Sequence, residues 1–332
     1  MIMHHHEDDL DLIGIADIEN AAEALAGVAL RTPLMEHPIL NARAGGRVLV
    51  KAECLQRTGS FKIRGAYNRL SRLSADERAA GVVAFSSGNH AQGVAEAARR
   101  LGVRAQIVMP HDAPAIKREN TRALGAEIIA YDRYSQNREQ IAMDLCAQSG
   151  AILVPSYDDR HIIAGQGTVG LEIADQAKKR GLTLDAALIC VGGGGLIAGS
   201  ATALKAAFPA IAVHGVEPLG FDDTARSLKA GKQVANDLES RSICDALLAP
   251  MPGALTFAHN RQLLESGVVV TDDEVKAAMA FAFERLKIIV EPGGAVALAA
   301  VLAHKIETRD RVIAIVLSGG NIGLQDFSAL MA

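Results

Sequence analysis

The chain has no tryptophan, only 4% aromatic residues and only four cysteines in 332 residues. It also lacks a block of one charge: Lys and Arg are interspersed among Asp and Glu, to a formal net charge of −4. Those two absences exclude the stacking platforms and basic stripes of a nucleic-acid binder. Cys54, Cys146, Cys190 and Cys244 are widely separated, in neither the close pairs of a zinc site nor a redox pair, so they read as reduced core thiols. No apolar run reaches the roughly 20 residues that span a bilayer, and His4-His5-His6-Glu7-Asp8-Asp9 is polar where a secretory leader is basic and then apolar. A cytoplasmic protein with no membrane partner is expected. The three adjacent histidines could take a metal, but a solvated polar tail is the plainer account of them.

What the sequence does have is a hydrophobic share of 49%, ample for more than one core at this length. Short β-branched runs at 48–50, 82–85, 105–109, 127–131, 151–155, 186–191, 211–216 and 311–317 alternate with alanine-rich helical stretches at 92–101, 114–124, 135–149 and 197–207. That alternation predicts an α/β protein built on parallel strands. Thr271-Asp272-Asp273-Glu274 is a capping box that opens a helix running to about residue 287. The stretch 75–157 holds four strand–helix units and predicts a small domain, leaving 1–74 and 158–332 to a larger one. Open α/β sheets bind ligands at the carboxyl ends of their strands, so the chemistry belongs in loops that follow strands.

In Gly59-Ser60-Phe61-Lys62-Ile63-Arg64-Gly65-Ala66, apolar Phe61 and Ile63 flank Lys62 and argue for its burial. A desolvated lysine gives up its charge more readily and becomes an amine nucleophile fit for Schiff-base chemistry. The bland alternative is a cation on a solvated helix face. Ser86-Ser87-Gly88-Asn89-His90 follows the run 82–85 and leads into a helix, so its N–H groups suit an anion such as a carboxylate; an ordinary capped turn would look the same. Gly192-Gly193-Gly194-Gly195-Leu196 follows the run 186–191. Four consecutive glycines cost more backbone entropy than a turn requires, and close approach of amides to a phosphate explains them. The same loop satisfies a loose dinucleotide fingerprint, Gly193-x-Gly195-x-x-Ala198 with Glu217 about twenty residues on, which keeps a nicotinamide oxidoreductase open although it has no use for Lys62. Ser318-Gly319-Gly320-Asn321, after the run 311–317, is either a turn or a neutral hydrogen-bonder. An amine, an anion loop, a phosphate loop and a neutral hydrogen-bonder together make the parts of a pyridoxal-phosphate site.

These motifs, with Ala164-Gly165-Gln166-Gly167-Thr168, stand in the order found in the serine/threonine dehydratase and serine racemase group of pyridoxal-phosphate enzymes, which the chain resembles over almost its whole length. The resemblance implies the two-lobed tryptophan-synthase-β-like fold, each lobe an open, mostly parallel sheet flanked by helices. It implies that Lys62 bears pyridoxal 5'-phosphate covalently behind Phe61, that Asn89 hydrogen-bonds the ring 3'-oxygen, and that Gly192, Gly193, Gly194, Gly195 and Leu196 hold the phosphate. Ser318 would face the pyridine nitrogen and leave it largely unprotonated. Ser86, Ser87, Gly88, Asn89 and His90 would hold the substrate carboxylate, with Ser87 at the position that serves racemases as a base opposite the lysine. The implied reaction eliminates water from L-threonine or L-serine, Lys62 removing the Cα proton, and releases a 2-oxo acid and ammonia. A serine or hydroxyaspartate racemase/dehydratase is the alternative on the same scaffold, and a non-catalytic amino-acid sensor a remote one.

The resemblance further implies Mg²⁺ or Ca²⁺ on Glu217, the Phe221 carbonyl and Asp223, oxygen ligands that suit hard cations, against the plainer reading of a solvated acidic loop. It implies a homodimer or larger homo-oligomer. Two departures bear on substrate: Cys244-Asp245-Ala246 carries a methyl group where relatives have glycine, and the segment 247–253 lacks the serine that racemases place there, which predicts weak racemisation. The chain stops at Ala332, so no regulatory amino-acid-binding domain and no feedback inhibition by isoleucine are expected.

Overall fold

The computed structural model describes residues 11–113, 115–237 and 239–332; His4, His5 and His6 lie outside them. Its strands are β1 (Leu34–Glu36), β2 (Arg47–Ala52), β3 (Val82–Phe85), β4 (Ala105–Pro110), β5 (Glu127–Tyr131), β6 (Ile152–Leu153), β7 (Ala186–Cys190), β8 (Ala212–Pro218), β9 (Ser266–Val270) and β10 (Val312–Leu317). Six of them form one sheet in the order β1-β2-β10-β7-β8-β9, and four form a second in the order β5-β4-β3-β6. Every pairing is parallel except that of β1 with β2.

Each of the eight β-branched runs overlaps a strand, and two strands lie outside them. β1 is a short antiparallel edge, and β9 opens with Ser266-Gly267, which hides its valines from a pattern of alternation. β6 shrinks to two residues, although the Val154 N–H still donates to the Val83 carbonyl at 2.8 Å. The helix expected to run to about residue 287 ends at Phe281 and continues as a widened turn over Ala282–Leu286, stopped by Lys287 at a φ of 60°.

Parallel strands covered on both faces read as unbroken apolar runs, and β7 and β10 do. Their side chains, with Val50, Val213 and Leu298, are among the residues that build the core of the six-stranded sheet. The four-stranded sheet packs Val82, Ala84, Ile107 and Met109 against Ile63, Ala66 and Leu70 of helix Lys62–Ser71 and against Ile162. The helix that Lys62 opens therefore lies against the small sheet, although it belongs to the segment 1–74 that the sequence assigned to the larger domain.

Helix Arg160–Lys178 fixes this helix relative to helix Gly195–Ala207, which starts from the glycine loop. A Cβ on Gly165 would stand 2.5 Å from the Arg64 carbonyl oxygen, and one on Gly167 would stand 2.9 Å from that of Gly199. Only hydrogen side chains let the three backbones approach this closely. An ion cluster adds direction: fully buried Arg64 donates to Glu53 at 2.8 Å and to Glu172 at 2.7 Å, and fully buried Lys51 pairs with Glu172 at 2.6 Å. Charges this deep persist because each is paired, and Arg64 holds Glu53 ionised against the desolvation that opposes it.

Candidate active site

Lys62 follows a tight turn in which Thr58 and Gly59 adopt φ of 62° and 70°. The turn is stitched to the carboxyl end of β10 by a bridge between Ser60 and Gly319, and the Phe61 N–H donates to the Ser318 carbonyl at 3.2 Å. Lys62 is half-buried, its Nζ donating to the Ser156 carbonyl at 2.6 Å and lying 5.3 Å from the centre of the Phe61 ring. Burial lowers its pKa to about 8. Its place at a helix N-terminus also disfavours the cation.

In front of the amine lies a cavity of about 360 Å³. Three strands deliver loops to it by their carboxyl ends: Ser86 to His90 after β3, Gly192 to Leu196 after β7, and Ser318 after β10. Sequence-predicted Phe61, Lys62, Ser87, Gly88, Asn89, Gly193, Gly194 and Gly195 line the same cavity. Gly194, at a φ of 94°, is the N-cap of helix Gly195–Ala207, so first-turn N–H groups with no intrahelical partner face outward from the loop. A Cβ on Gly193 would collide with the Tyr157 ring at 2.2 Å. The loop is thus bare backbone beneath an aromatic lid.

Gly88 caps helix Asn89–Leu101, and its N–H donates to Ser86 Oγ at 3.2 Å, leaving Ser87 exposed. The His90 imidazole is buried against the Val154 carbonyl at 2.9 Å, and burial, reinforced by Lys62, drives its pKa down to about 3. A neutral ring contributes no charge, so His90 can serve an anion only through its backbone N–H. Both ends of the Asn89 amide are engaged: Nδ2 donates to Glu291 at 2.6 Å, and Oδ1 accepts from Asn321 Nδ2 at 2.7 Å. One Asn89 N–H remains for a ligand. Ser318, nearly buried, faces the Cys190 thiol, which burial pushes up to about 11 against a hydrogen bond from Ser318.

Glu217, Phe221 and Asp223 are absent from this cavity. The fully buried Glu217 carboxylate accepts from the Thr224 and Ala225 N–H groups, both at 2.8 Å. Glu217 thus lies outside the cavity that the glycine loop lines, where a ribose ligand would have to stand, and the dinucleotide reading of that loop loses its carboxylate. Asp223 Oδ1 accepts from Asn236 at 2.5 Å, while its Oδ2 is buried without a partner. Among the described residues no cluster of three or more His, Cys, Asp and Glu could hold a metal.

Sequence reasoning missed Glu291, Lys117, Arg138 and Tyr157, all of which line the cavity. Glu291 left a signal: an acid directly before Pro292 at the head of an apolar helix, where burial first and Asp245 second push its pKa up to about 7. Lys117, Arg138 and Tyr157 left none, because their relevance depends on how the two sheets face each other.

A family model described as pyridoxal-phosphate dependent enzyme matches residues 26–319. The chain belongs to that family. Among its members, an L-threo-3-hydroxyaspartate ammonia-lyase of Pseudomonas sp is 42% identical over 97% of this chain and 99% of its own. An L-threonine ammonia-lyase of Thermotoga maritima is 40% identical over 94% of this chain and 76% of its own. The solved structure of maize serine racemase superposes with a TM-score of 0.90 at 38% identity, covering 96% of both chains. The fold is therefore tryptophan-synthase-β-like, and the protein is an enzyme of a family that uses pyridoxal phosphate and includes ammonia-lyases and racemases. No helix among the described residues is long and apolar enough to cross a membrane.

Proposed function

We propose that the protein is an ammonia-lyase that eliminates water from β-hydroxy amino acids, with a 3-hydroxy amino dicarboxylate such as L-threo-3-hydroxyaspartate preferred over L-serine and L-threonine. The observation that carries the preference is a pair of cations, Arg138 and Lys117, in the cavity wall beside the Ser86–His90 loop, which already offers its own N–H groups to the α-carboxylate. Arg138 is exposed, lies over the Phe85 ring at 5.4 Å from its centre, and is paired with no carboxylate among the described residues. Lys117 lines the same cavity, its Nζ 3.8 Å from where a Cβ on Gly88 would stand, and pairs with Asp245, a carboxylate that a substrate could displace. A hydroxymethyl side chain has no use for two cations; a distal carboxylate does.

The residues present fit the cofactor. Lys62 offers an amine, the Gly192–Leu196 loop a cradle of N–H donors that any side chain would fill, Asn89 a free N–H, and Ser318 a neutral hydroxyl. Pyridoxal phosphate, when bound, supplies an electron sink for the Cα–H bond pair. Lys62, desolvated and held by the Ser156 carbonyl, then acts as the base at Cα. N–H groups of the Ser86–His90 loop orient the α-carboxylate, and Ser87 stands where a second base would act in racemisation. Loss of the hydroxyl as water leaves an enamine, and hydrolysis of its imine tautomer returns the water and yields a 2-oxo acid and ammonia. We further propose Glu217, the Phe221 carbonyl and Asp223 as a Mg²⁺ or Ca²⁺ site, supported by the unpartnered Asp223 Oδ2, and a cytoplasmic homo-oligomer as the working form.

The test compares 2-oxo acid release from L-serine, L-threonine and L-threo-3-hydroxyaspartate by wild type, Lys62→Ala and Arg138→Leu. Lys62→Ala should abolish the visible absorption of bound cofactor and all turnover. Arg138→Leu should lower kcat/KM for hydroxyaspartate roughly ten-fold or more, the effect of one charge-assisted hydrogen bond, with a much smaller effect on L-serine. A wild type that prefers L-serine or L-threonine would overturn the dicarboxylate assignment, and one without a Lys62-dependent band would overturn the whole reading.

A further inference from the structure

Gln166 belongs to the motif Ala164-Gly165-Gln166-Gly167-Thr168, which the chemistry above leaves unused. It is 1% exposed, it lines the active-site cavity, and neither its Nε2 nor its Oε1 has a hydrogen-bond partner. A primary amide buried with both ends orphaned is costly, so the molecule should contain, in its working form, a group that satisfies it. Its surroundings say which. Gly165 and Gly167, on either side of it, let helix Arg160–Lys178 press against helices Lys62–Ser71 and Gly195–Ala207, so the Gln166 side chain is driven into the seam between them. Its Nε2 would lie 3.1 Å from a Cβ on Gly65, one turn beyond Lys62, and its Oε1 2.7 Å from a Cβ on Gly195, the first residue of the glycine-loop helix. The amide thus stands between the reactive lysine's helix and the N–H donors of the loop.

Because neither end is hydrogen-bonded, turning the amide plane over breaks nothing, and the side chain can present its N–H toward the loop as readily as its oxygen. A dianion in that loop repels the oxygen and attracts the N–H.

We propose that Gln166 is a positioning residue for the phosphoryl end of the cofactor, its Nε2–H donating into the cavity beside the Gly192–Leu196 amides. This rests on the reading that those amides hold the phosphate. Gln166→Met keeps length and volume without a donor, and Gln166→Glu is isosteric but places a carboxylate against a dianion. Both would be loaded with pyridoxal phosphate and compared with wild type by dissociation constant, by the ³¹P resonance of the bound cofactor, and by the thermal midpoint with and without cofactor. The donor's loss should weaken cofactor binding roughly ten-fold in Gln166→Met, more in Gln166→Glu, and move the ³¹P resonance in both. Affinity within about two-fold of wild type and an unmoved resonance in Gln166→Met would overturn the proposal. So would a lowered midpoint without cofactor accompanied by an undiminished rise on loading, since that pattern marks a role in packing alone. A wild type with neither a Lys62-dependent band nor a bound phosphorus signal would fail at the cofactor reading itself, before any question of Gln166.

Discussion

At the scale of residues, the site turns on one amine whose hold on its proton is weakened by its surroundings. With a pKa near 8, about half of Lys62 is neutral at pH 8 and roughly a hundredth at pH 6. The rate at which cofactor-free protein takes up pyridoxal phosphate, followed by its visible absorption, should therefore rise about fifty-fold between pH 6 and pH 8. A flat profile would mean that the lysine is neutral throughout or that another step limits uptake. Lys62 was legible in the sequence because its burial was written in its neighbours, Phe61 and Ile63. The glycine loop was legible because nothing but backbone fills it. Asn89 was legible as a residue of the loop after β3 but not as the middle of a chain running from Asn321 to Glu291, since those partners lie more than 200 residues further along, one before β10 and one after it. The orphaned amide of Gln166 could be recognised only once the helices around it were in place.

Elements were easier to read than their junctions. Strand positions followed from β-branched runs, and the site's placement at carboxyl ends followed from the parallel order. The buried cluster of Arg64, Glu53 and Glu172 did not follow, because a fully buried arginine and a solvated one look alike in a helical stretch. The segment joining β8 to helix Asp223–Ala230 carries a prediction of its own. Glu217 caps that helix from the end of β8, and Asp223 opens it with one oxygen unsatisfied. Millimolar Mg²⁺ or Ca²⁺ should raise the thermal midpoint of wild type by a few degrees and leave Asp223→Ala unmoved, the ordinary linkage of a ligand that binds only the folded state. An equal rise in both proteins, or none in wild type, would remove the cation from this loop.

Over the whole molecule, the cavity is bounded by loops from both sheets, and the pair of Lys117 with Asp245, which lines it, joins helix Ala115–Ala123 to the turn Asp245–Leu247. A substrate carboxylate that displaced Asp245 from Lys117 would break this link between the stretch 75–157 and the rest of the chain. Asp245 is 53% exposed on its side chain, so the pair is worth under about 1 kcal/mol. Asp245→Asn should accordingly leave the thermal midpoint almost unchanged while altering KM several-fold and reducing its dependence on salt. A large loss of stability with unaltered KM would show that the pair holds the resting fold together.

The strand order sets a timetable for biosynthesis. The four-stranded sheet is encoded in one continuous stretch and can be completed while translation is still under way. The six-stranded sheet keeps a gap between β2 and β7 until β10, the last of its strands to leave the ribosome, slides in between them. β10 also delivers Ser318 and the anchor for the lysine's turn. A nascent chain therefore carries its reactive amine for most of its synthesis without a pocket to capture pyridoxal phosphate, and gains that pocket only when the central strand arrives.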